Sequence, residues 1–232
     1  MARDPGPLAL STTDGITLEA EWAPATPTPV GEVGDGRAGA VTSGPPAVVV
    51  LAHPHPAHGG NMRSLVTSEL FRTLPERGIP TLRFNFRGVG SSGGHHEGGV
   101  AERADVAAAV AAAAAEEPDL PLVLSGWSFG ADVSLAVVDP AVDGWFAVAP
   151  PLRILPSDAY LAAADPRPKV LVVPEHDEFN PPARCGPKVA AWRATTVEVI
   201  AGADHFLVGR TAALADLLVA FAADLGARGT PT

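Results

Sequence analysis

The chain has little cysteine, little positive charge and no long hydrophobic run. One cysteine among 232 residues, Cys185, excludes an internal disulfide and a zinc site built from several cysteines, and we expect it to be unreactive. Sixteen Lys and Arg against 26 Asp and Glu give a formal net charge of −10, which argues against nucleic acid as a partner because phosphate binding needs a basic surface. No apolar run reaches the roughly 20 residues of a membrane helix, and the first ten residues lack the apolar core of a signal peptide. We therefore expect a cytoplasmic protein without a membrane partner.

The length of the chain suits one large domain with a sizeable core. Residues 24–46 are rich in Pro, Gly, Ala and Thr and contain few side chains to bury. Such a composition is typical of a mobile loop rather than of a linker between two domains. We predict a single domain over residues 1–232 that contains this loop.

Strand and helix patterns alternate along most of the chain. Asp14-Gly15 is a turn pair between the apolar segments 8–11 and 16–22, which predicts an antiparallel hairpin. The order that follows predicts an α/β fold with a mostly parallel central sheet and helices on both faces. The predicted strands are 47–52, 79–84, 122–125, 145–148, 169–173 and 195–200, and the predicted helices are 62–77, with Asn61 as N-cap, 103–117, 129–138, 183–192 and 207–225.

The stretch GWSFG, residues 126–130, places a serine between a predicted strand and a predicted helix. In this Gly-x-Ser-x-Gly setting a tight turn forces the serine into a strained backbone conformation and exposes its hydroxyl. Gly126 and Gly130 then have a steric role, because a side chain at either position would collide with the neighbouring strand or helix. Ser128 is therefore the candidate nucleophile.

A serine hydroxyl needs a base to take its proton and a carboxylate to orient that base. On this architecture the acid and then the histidine follow the serine along the chain. Only His176 and His205 lie downstream. His176 shares its loop with the acidic candidates, and one loop cannot easily supply both groups. His205 follows the last predicted strand, so we predict it as the base.

The loop after residues 169–173 reads PEHDEFNPP and contains three carboxylates. Asp177 is the preferred acid because it stands a few residues beyond the end of the strand. Glu175 and Glu178 are the alternatives. Asp204 is too close in sequence to His205 to orient its ring.

A tetrahedral oxyanion needs backbone N–H donors. Phe129 supplies one at the start of its predicted helix, where amides are unpaired and the helix dipole is positive. The second is expected from the loop HPHPAHGGNMRS, where Pro54 and Pro56 have no N–H and His55 is the best-placed donor. Trp127, beside the serine, is a candidate to line an acyl pocket.

Five segments together resemble the α/β-hydrolases, in particular their small, lidless, esterase-like members. They are GWSFG, HPHPAHGGNM, LRFNFRGVGSSGG, EHDEF and GADHF, and the similarity runs from about residue 47 to the end. The resemblance implies a Ser-Asp-His triad at Ser128, Asp177 and His205, with the first-loop amide at His55. The segment between the strands 145–148 and 169–173 is too short for a large lid.

Arg87 belongs to one of these segments. We expect it to pin its loop through charged hydrogen bonds. Glu102 and Asp105, one helical turn apart at the start of the next predicted helix, are its candidate partners.

The expected function is hydrolysis of small carboxylic esters in two acyl-transfer steps, without a cofactor. Short acyl chains are expected because a lidless site offers little surface to hold a long one. Thioesters, lactones and peptides remain alternatives, since the same three side chains serve all of them. A binding protein without catalysis on this scaffold is a further alternative.

A metal-dependent hydrolase is the last alternative. Imidazoles bind zinc well, but the chain has no His-Glu-x-x-His motif, and we expect no metal. The side chains that raise this possibility are His53, His55, His58, His95, His96 and Glu97.

Overall fold

The computed structural model describes residues 4–26 and 45–229. Most of the loop predicted at 24–46 lies outside these residues. The strands are β1 (Gly6–Ser11), β2 (Thr17–Ala23), β3 (Val48–Ala52), β4 (Thr81–Phe84), β5 (Leu122–Trp127), β6 (Gly144–Val148), β7 (Lys169–Pro174) and β8 (Thr195–Ile200). The helices are α1 (Leu65–Glu76), α2 (Glu102–Glu116), α3 (Phe129–Leu135), α4 (Pro182–Val189) and α5 (Thr211–Gly229).

All eight strands belong to one sheet, in the order β1-β2-β4-β3-β5-β6-β7-β8. The hairpin β1–β2 is antiparallel and pairs antiparallel with β4. Every other neighbouring pair is parallel. This confirms the predicted mostly parallel sheet with an N-terminal hairpin. None of the helices in the described residues combines the length and the apolar character needed to cross a bilayer.

The core lies on both faces of the sheet. In β3, Val48, Val50 and Ala52 pack with residues of α2 and α3, whereas Val49 and Leu51 pack with residues of α1 and α5. All five side chains are buried. Strands covered on both faces read as continuous apolar runs, which is the pattern that predicted β3.

Two helices begin later than predicted. The carbonyl of Asn61 accepts the N–H of Ser64, so a turn precedes α1 and Ser64, not Asn61, is the N-cap. The Met62 amide bonds the Asn85 side chain instead of joining the helix. Helix α5 starts at Thr211 rather than at residue 207, because a positive φ of 56° at Leu207 interrupts the helical backbone.

Arg87 is buried and ties three segments together. Its Nε and Nη2 donate to Asp105 Oδ1 at 2.9 and 2.7 Å, and its Nη1 donates to Asp14 Oδ2 at 2.8 Å. Asp105 is therefore a partner, as predicted. The prediction for Glu102 was wrong, because its carboxylate accepts backbone N–H groups of the loop that precedes α2. Asp14, in the hairpin turn, is a partner that sequence spacing did not indicate.

We expect the Asp14 contact to be lost in acid. Hydrogen bonds from Arg87 and Thr12 lower the pKa of Asp14 from 3.8 to about 2. A carboxylate with a depressed pKa stabilises the fold above its unfolded-state pKa, and loses this contribution as pH falls from about 4 to about 2. In urea titrations, Asp14→Asn should unfold earlier than the wild type at pH 7, and the difference should shrink toward pH 2. A difference that stays constant over this range would contradict the assignment.

Candidate active site

Ser128 stands alone between the end of β5 and the start of α3. Its φ of 55° and ψ of −116° lie in a region that residues with a side chain rarely adopt. A Cβ added to Gly126 would lie 2.3 Å from the carbonyl oxygen of Gly130, and one added to Gly130 would lie 2.4 Å from that of Ala52. As the motif predicted, only glycine at both positions allows the backbone of α3 to pack this closely against β5 and the end of β3.

The structure brings Ser128, His205 and Asp177 together in one hydrogen-bonded chain. Ser128 Oγ lies 2.9 Å from His205 Nε2, and His205 Nδ1 lies 2.9 Å from Asp177 Oδ2. The three residues follow β5, β8 and β7, so they meet at the carboxyl edge of the sheet, where such folds bind ligands. With its Nδ1–H donated to a carboxylate, the imidazole keeps Nε2 free to accept the serine proton.

The Asp177 carboxylate is kept ionised by its surroundings. Burial by itself would raise its pKa, but hydrogen bonds from His205 and from the amides of Phe179 and Asn180 outweigh burial and lower it. Asp177 therefore presents a negative charge to the imidazole.

Aromatic residues enclose the His205 ring. Phe179 packs edge-on against it at 4.5 Å between centroids, and Phe206 does so at 5.7 Å. The indole N–H of Trp127 donates to the backbone carbonyl of His205 at 3.1 Å. These contacts hold both the ring and its loop in place against Ser128.

The other acids considered for this role point elsewhere. Glu175 accepts the N–H of Gly202, and Glu178 is exposed. Asp204 accepts the N–H of Phe206 in its own turn. Asp177 is the acid that reaches the imidazole.

His55 and Ser128 line the same cleft, and Phe129 is the next residue after Ser128. Phe129 is the first residue of α3, where helical N–H groups lack an intrahelical acceptor. His55 lies where the loop after β3 enters a single 3₁₀ turn, and its carbonyl accepts the amides of His58 and Gly60. Neither the Phe129 nor the His55 N–H donates a hydrogen bond within the described part of the chain.

His53 fixes the loop that carries His55. Its Nε2 accepts the N–H of Phe86 at 3.0 Å, and its Nδ1 lies 2.6 Å from the carbonyl of Pro54. Burial lowers the pKa of His53 to about 4, so the ring is neutral and joins the loops after β3 and β4. This histidine therefore has a structural role.

Within residues 4–26 and 45–229, no three His, Cys, Asp or Glu side chains are grouped so as to hold a metal ion.

Asp132 anchors the loop after β6, and sequence reasoning missed it. Its buried carboxylate accepts the N–H groups of residues 152–154 and the hydroxyl of Tyr160. Burial raises the pKa of Asp132, and these hydrogen bonds oppose the rise. The sequence did offer a signal for this role. Asp132 is an acid within the otherwise apolar stretch FGADVSL, one helical turn after Ser128, and such a position indicates a buried carboxylate that bonds nearby backbone.

A cleft of about 570 Å³ opens at Ser128. Its walls are largely apolar, and among the described residues no Asp or Glu lines it. Among the described residues, its lining arginine is Arg153 and its lining histidines are His55, His58 and His205. The apolar lining includes Leu65, Trp127, Ile154, Phe179 and Phe206.

Comparison with known proteins bears on the family and the fold of the chain. Residues 44–201 match the family model described as serine aminopeptidase, S33. An α/β serine hydrolase homologue from Coxiella burnetii superposes with a TM-score of 0.76 at 28% identity, over 95% of this chain and 98% of that one. A lidless serine hydrolase from Xanthomonas campestris has the same fold, with a TM-score of 0.79 at 24% identity over 100% of this chain and 98% of that one.

A curated relative, an uncharacterised protein from Rickettsia prowazekii, is 32% identical over 124 residues. This match spans 52% of the present chain and 52% of the relative, so the chain matches about half the relative's length. The family model covers more than half of the present chain, so the chain belongs to the serine aminopeptidase, S33, family of α/β-hydrolases.

Proposed function

We propose that the protein hydrolyses small carboxylic esters through an acyl-enzyme on Ser128. The observation that carries the proposal is the chain from Ser128 Oγ through the His205 ring to Asp177, with 2.9 Å at both contacts. A hydroxyl this close to an unprotonated ring nitrogen can lose its proton as it attacks a carbonyl.

In the first step, Oγ of Ser128 bonds to the ester carbonyl carbon while His205 takes the hydroxyl proton. The amides of Phe129 and His55 hold the oxyanion. The intermediate collapses, the C–O bond to the alcohol breaks, and His205 gives the proton to the leaving oxygen. Water then attacks the acyl-enzyme with His205 as base, which releases the acid and restores the serine.

The cleft favours short acyl groups. Its apolar walls hold a small hydrocarbon portion, and residues 149–168, which join β6 and β7, contain only two short 3₁₀ turns. A long chain would therefore extend into solvent beyond the apolar surface. Thioesters and lactones present the same carbonyl to Ser128 and are secondary substrates of the same site.

The family description also raises an aminopeptidase activity. An aminopeptidase must hold the positively charged amino terminus of a peptide beside the scissile bond. Among the described residues, the cleft is lined by Arg153 and by no carboxylate. This lining disfavours binding of a positively charged peptide amino terminus. Esters are thus the better-matched substrates.

A chain-length panel tests the proposal. We expect kcat/KM for para-nitrophenyl acetate, butyrate and hexanoate to exceed that for the laurate by at least about tenfold. The cleft can bury only part of a lauroyl chain, so the remaining carbons gain no binding free energy from burial. Amino-acid para-nitroanilides should be hydrolysed far more slowly. A preference for the nitroanilides would replace the ester assignment by the peptidase one.

Asp177→Asn tests the acid. We expect kcat to fall by roughly 10³- to 10⁴-fold, because an amide neither holds the required imidazole tautomer nor stabilises the imidazolium. Glu178→Gln is the matched control, since this exposed acid lies in the same loop, and its kcat should change little. Equal losses in the two variants would show that the loop, and not the Asp177 carboxylate, matters.

A further inference from the structure

Among residues 4–26 and 45–229, Arg153 is the one arginine in the cleft wall, and it has no acidic partner there. No carboxylate of the described residues lies within ion-pair distance of its guanidinium, whereas many other arginines of this acidic chain have such a partner. The side chain is exposed toward solvent and the cleft mouth. A cation without a carboxylate partner in the wall of the cleft that opens at Ser128 is available to a bound ligand.

The backbone fixes the position of Arg153. Its N–H donates to the buried Asp132 at 3.0 Å, and the amides on either side bond the same carboxylate. Its guanidinium lies over the ring of Phe179, with 5.1 Å from Cζ to the ring centroid. Phe179 in turn contacts the His205 ring at 4.5 Å. The cation is thus held one aromatic ring away from the proposed base.

Further positive charge surrounds the same rim. Lys188 Nζ donates to the carbonyl of Pro151 at 3.3 Å, and Arg184 Nη2 donates to that of Glu178 at 2.9 Å. These bonds place two more cations close to Arg153, and both have main-chain oxygens rather than carboxylates as their acceptors. Arg153, Lys188 and Arg184 thus place three cations on this rim of a chain whose net charge is −10, together with the exposed Glu178.

We propose that Arg153 selects esters that carry a carboxylate a few bonds from the scissile carbonyl. The inference rests on the proposed esterase function and names its substrate class. The guanidinium pairs with the substrate carboxylate at the mouth while the apolar walls hold the hydrocarbon between the two groups. Arg153 is a specificity residue and takes no part in proton transfer.

Two matched ester pairs test the proposal, one for each side of the scissile bond. The acyl-side pair is the para-nitrophenyl monoester of adipate and its neutral isostere, in which an isopropyl group replaces the carboxylate. The alcohol-side pair is para-acetoxybenzoate and its methyl ester. The readout is the ratio of kcat/KM for the anionic ester to that for the neutral one, so any general effect of a variant on catalysis cancels.

In Arg153→Gln we expect this ratio to fall about three- to fivefold for at least one pair, mainly through KM, as is usual for an exposed ion pair. Arg153→Lys should retain most of the ratio, and Arg153→Glu should lower it further. High salt should reduce the wild-type ratio toward that of Arg153→Gln. Arg228→Gln, which removes the same charge at the exposed end of α5, should leave the ratio unchanged.

Different results would overturn the selectivity assigned to Arg153 and the esterase function itself. If both ratios stay unchanged in Arg153→Gln while hydrolysis of the neutral esters still requires Ser128, the selectivity inference is overturned and the esterase function stands. If Ser128→Ala hydrolyses every ester as fast as the wild type, the function itself fails.

Discussion

Ser128→Ala should lower kcat/KM for short-chain esters by roughly 10⁴- to 10⁶-fold while the protein remains folded. The variant removes the oxygen that forms the acyl bond and leaves the oxyanion donors and the cleft intact. Steady-state hydrolysis of para-nitrophenyl butyrate measures the loss, with circular dichroism as the check on folding. A decrease of less than about tenfold would show that another group performs the chemistry.

The double variant Ser128→Ala/His205→Ala shows whether the two side chains act together in catalysis or contribute independently. If the serine and the imidazole act as one unit, the double variant should be about as slow as the slower single variant. Additive losses would mean that His205 contributes by a route that does not involve Ser128. The 2.9 Å contact between the two side chains predicts strong non-additivity.

Gly130→Ala should destabilise the protein by at least about 4 kcal/mol, because the new methyl group meets backbone that cannot move aside. Its Cβ would lie 2.4 Å from the carbonyl oxygen of Ala52 and 2.6 Å from that of His53. These atoms belong to the end of β3 and the residue after it, so relief requires α3 to move away from the sheet. Thermal unfolding should show a drop in Tm of roughly 10 °C or more, or no folded protein.

Gly186→Ala is the matched control for this substitution. Gly186 lies in α4, has no positive φ, and has nothing within 4 Å of an added Cβ. Alanine there should leave Tm unchanged or raise it slightly, because alanine favours a helix over glycine. Comparable losses of Tm in the two variants would contradict the steric account of the GWSFG turn.

The sequence predicted the architecture and the meeting of distant residues for one physical reason. Parallel strands end at the same edge of a sheet, so loops that follow different strands converge there. Ser128, Asp177 and His205 each follow a predicted strand, the Phe129 amide follows the same strand as Ser128, and the His55 amide follows β3. The Gly-x-Ser-x-Gly motif identified Ser128, and the chain order of serine, acid and histidine led to Asp177 and His205.

Features that depend on long-range side-chain contacts were not predictable in this way. Asp132 bonds the backbone of residues 152–154, and no periodicity links a helical acid to a loop beyond the next strand. Arg87 bonds Asp14, which is 73 positions away in sequence, whereas the predicted partner Glu102 satisfies nearby amides. His53 read as a candidate metal ligand, because burial and its hydrogen bond to Phe86 are visible only in the folded chain.

Covalent labelling of the wild type by a fluorophosphonate, followed by intact mass and peptide mapping, tests the central claim most directly. An activated serine is phosphonylated at its oxygen with loss of fluoride, so we expect a single adduct, located on Ser128. The adduct should be absent in Ser128→Ala and form far more slowly in His205→Ala. A folded wild-type protein that stays unlabelled, or that carries its adduct on another residue, would contradict the assignment of Ser128 as a nucleophile activated by His205.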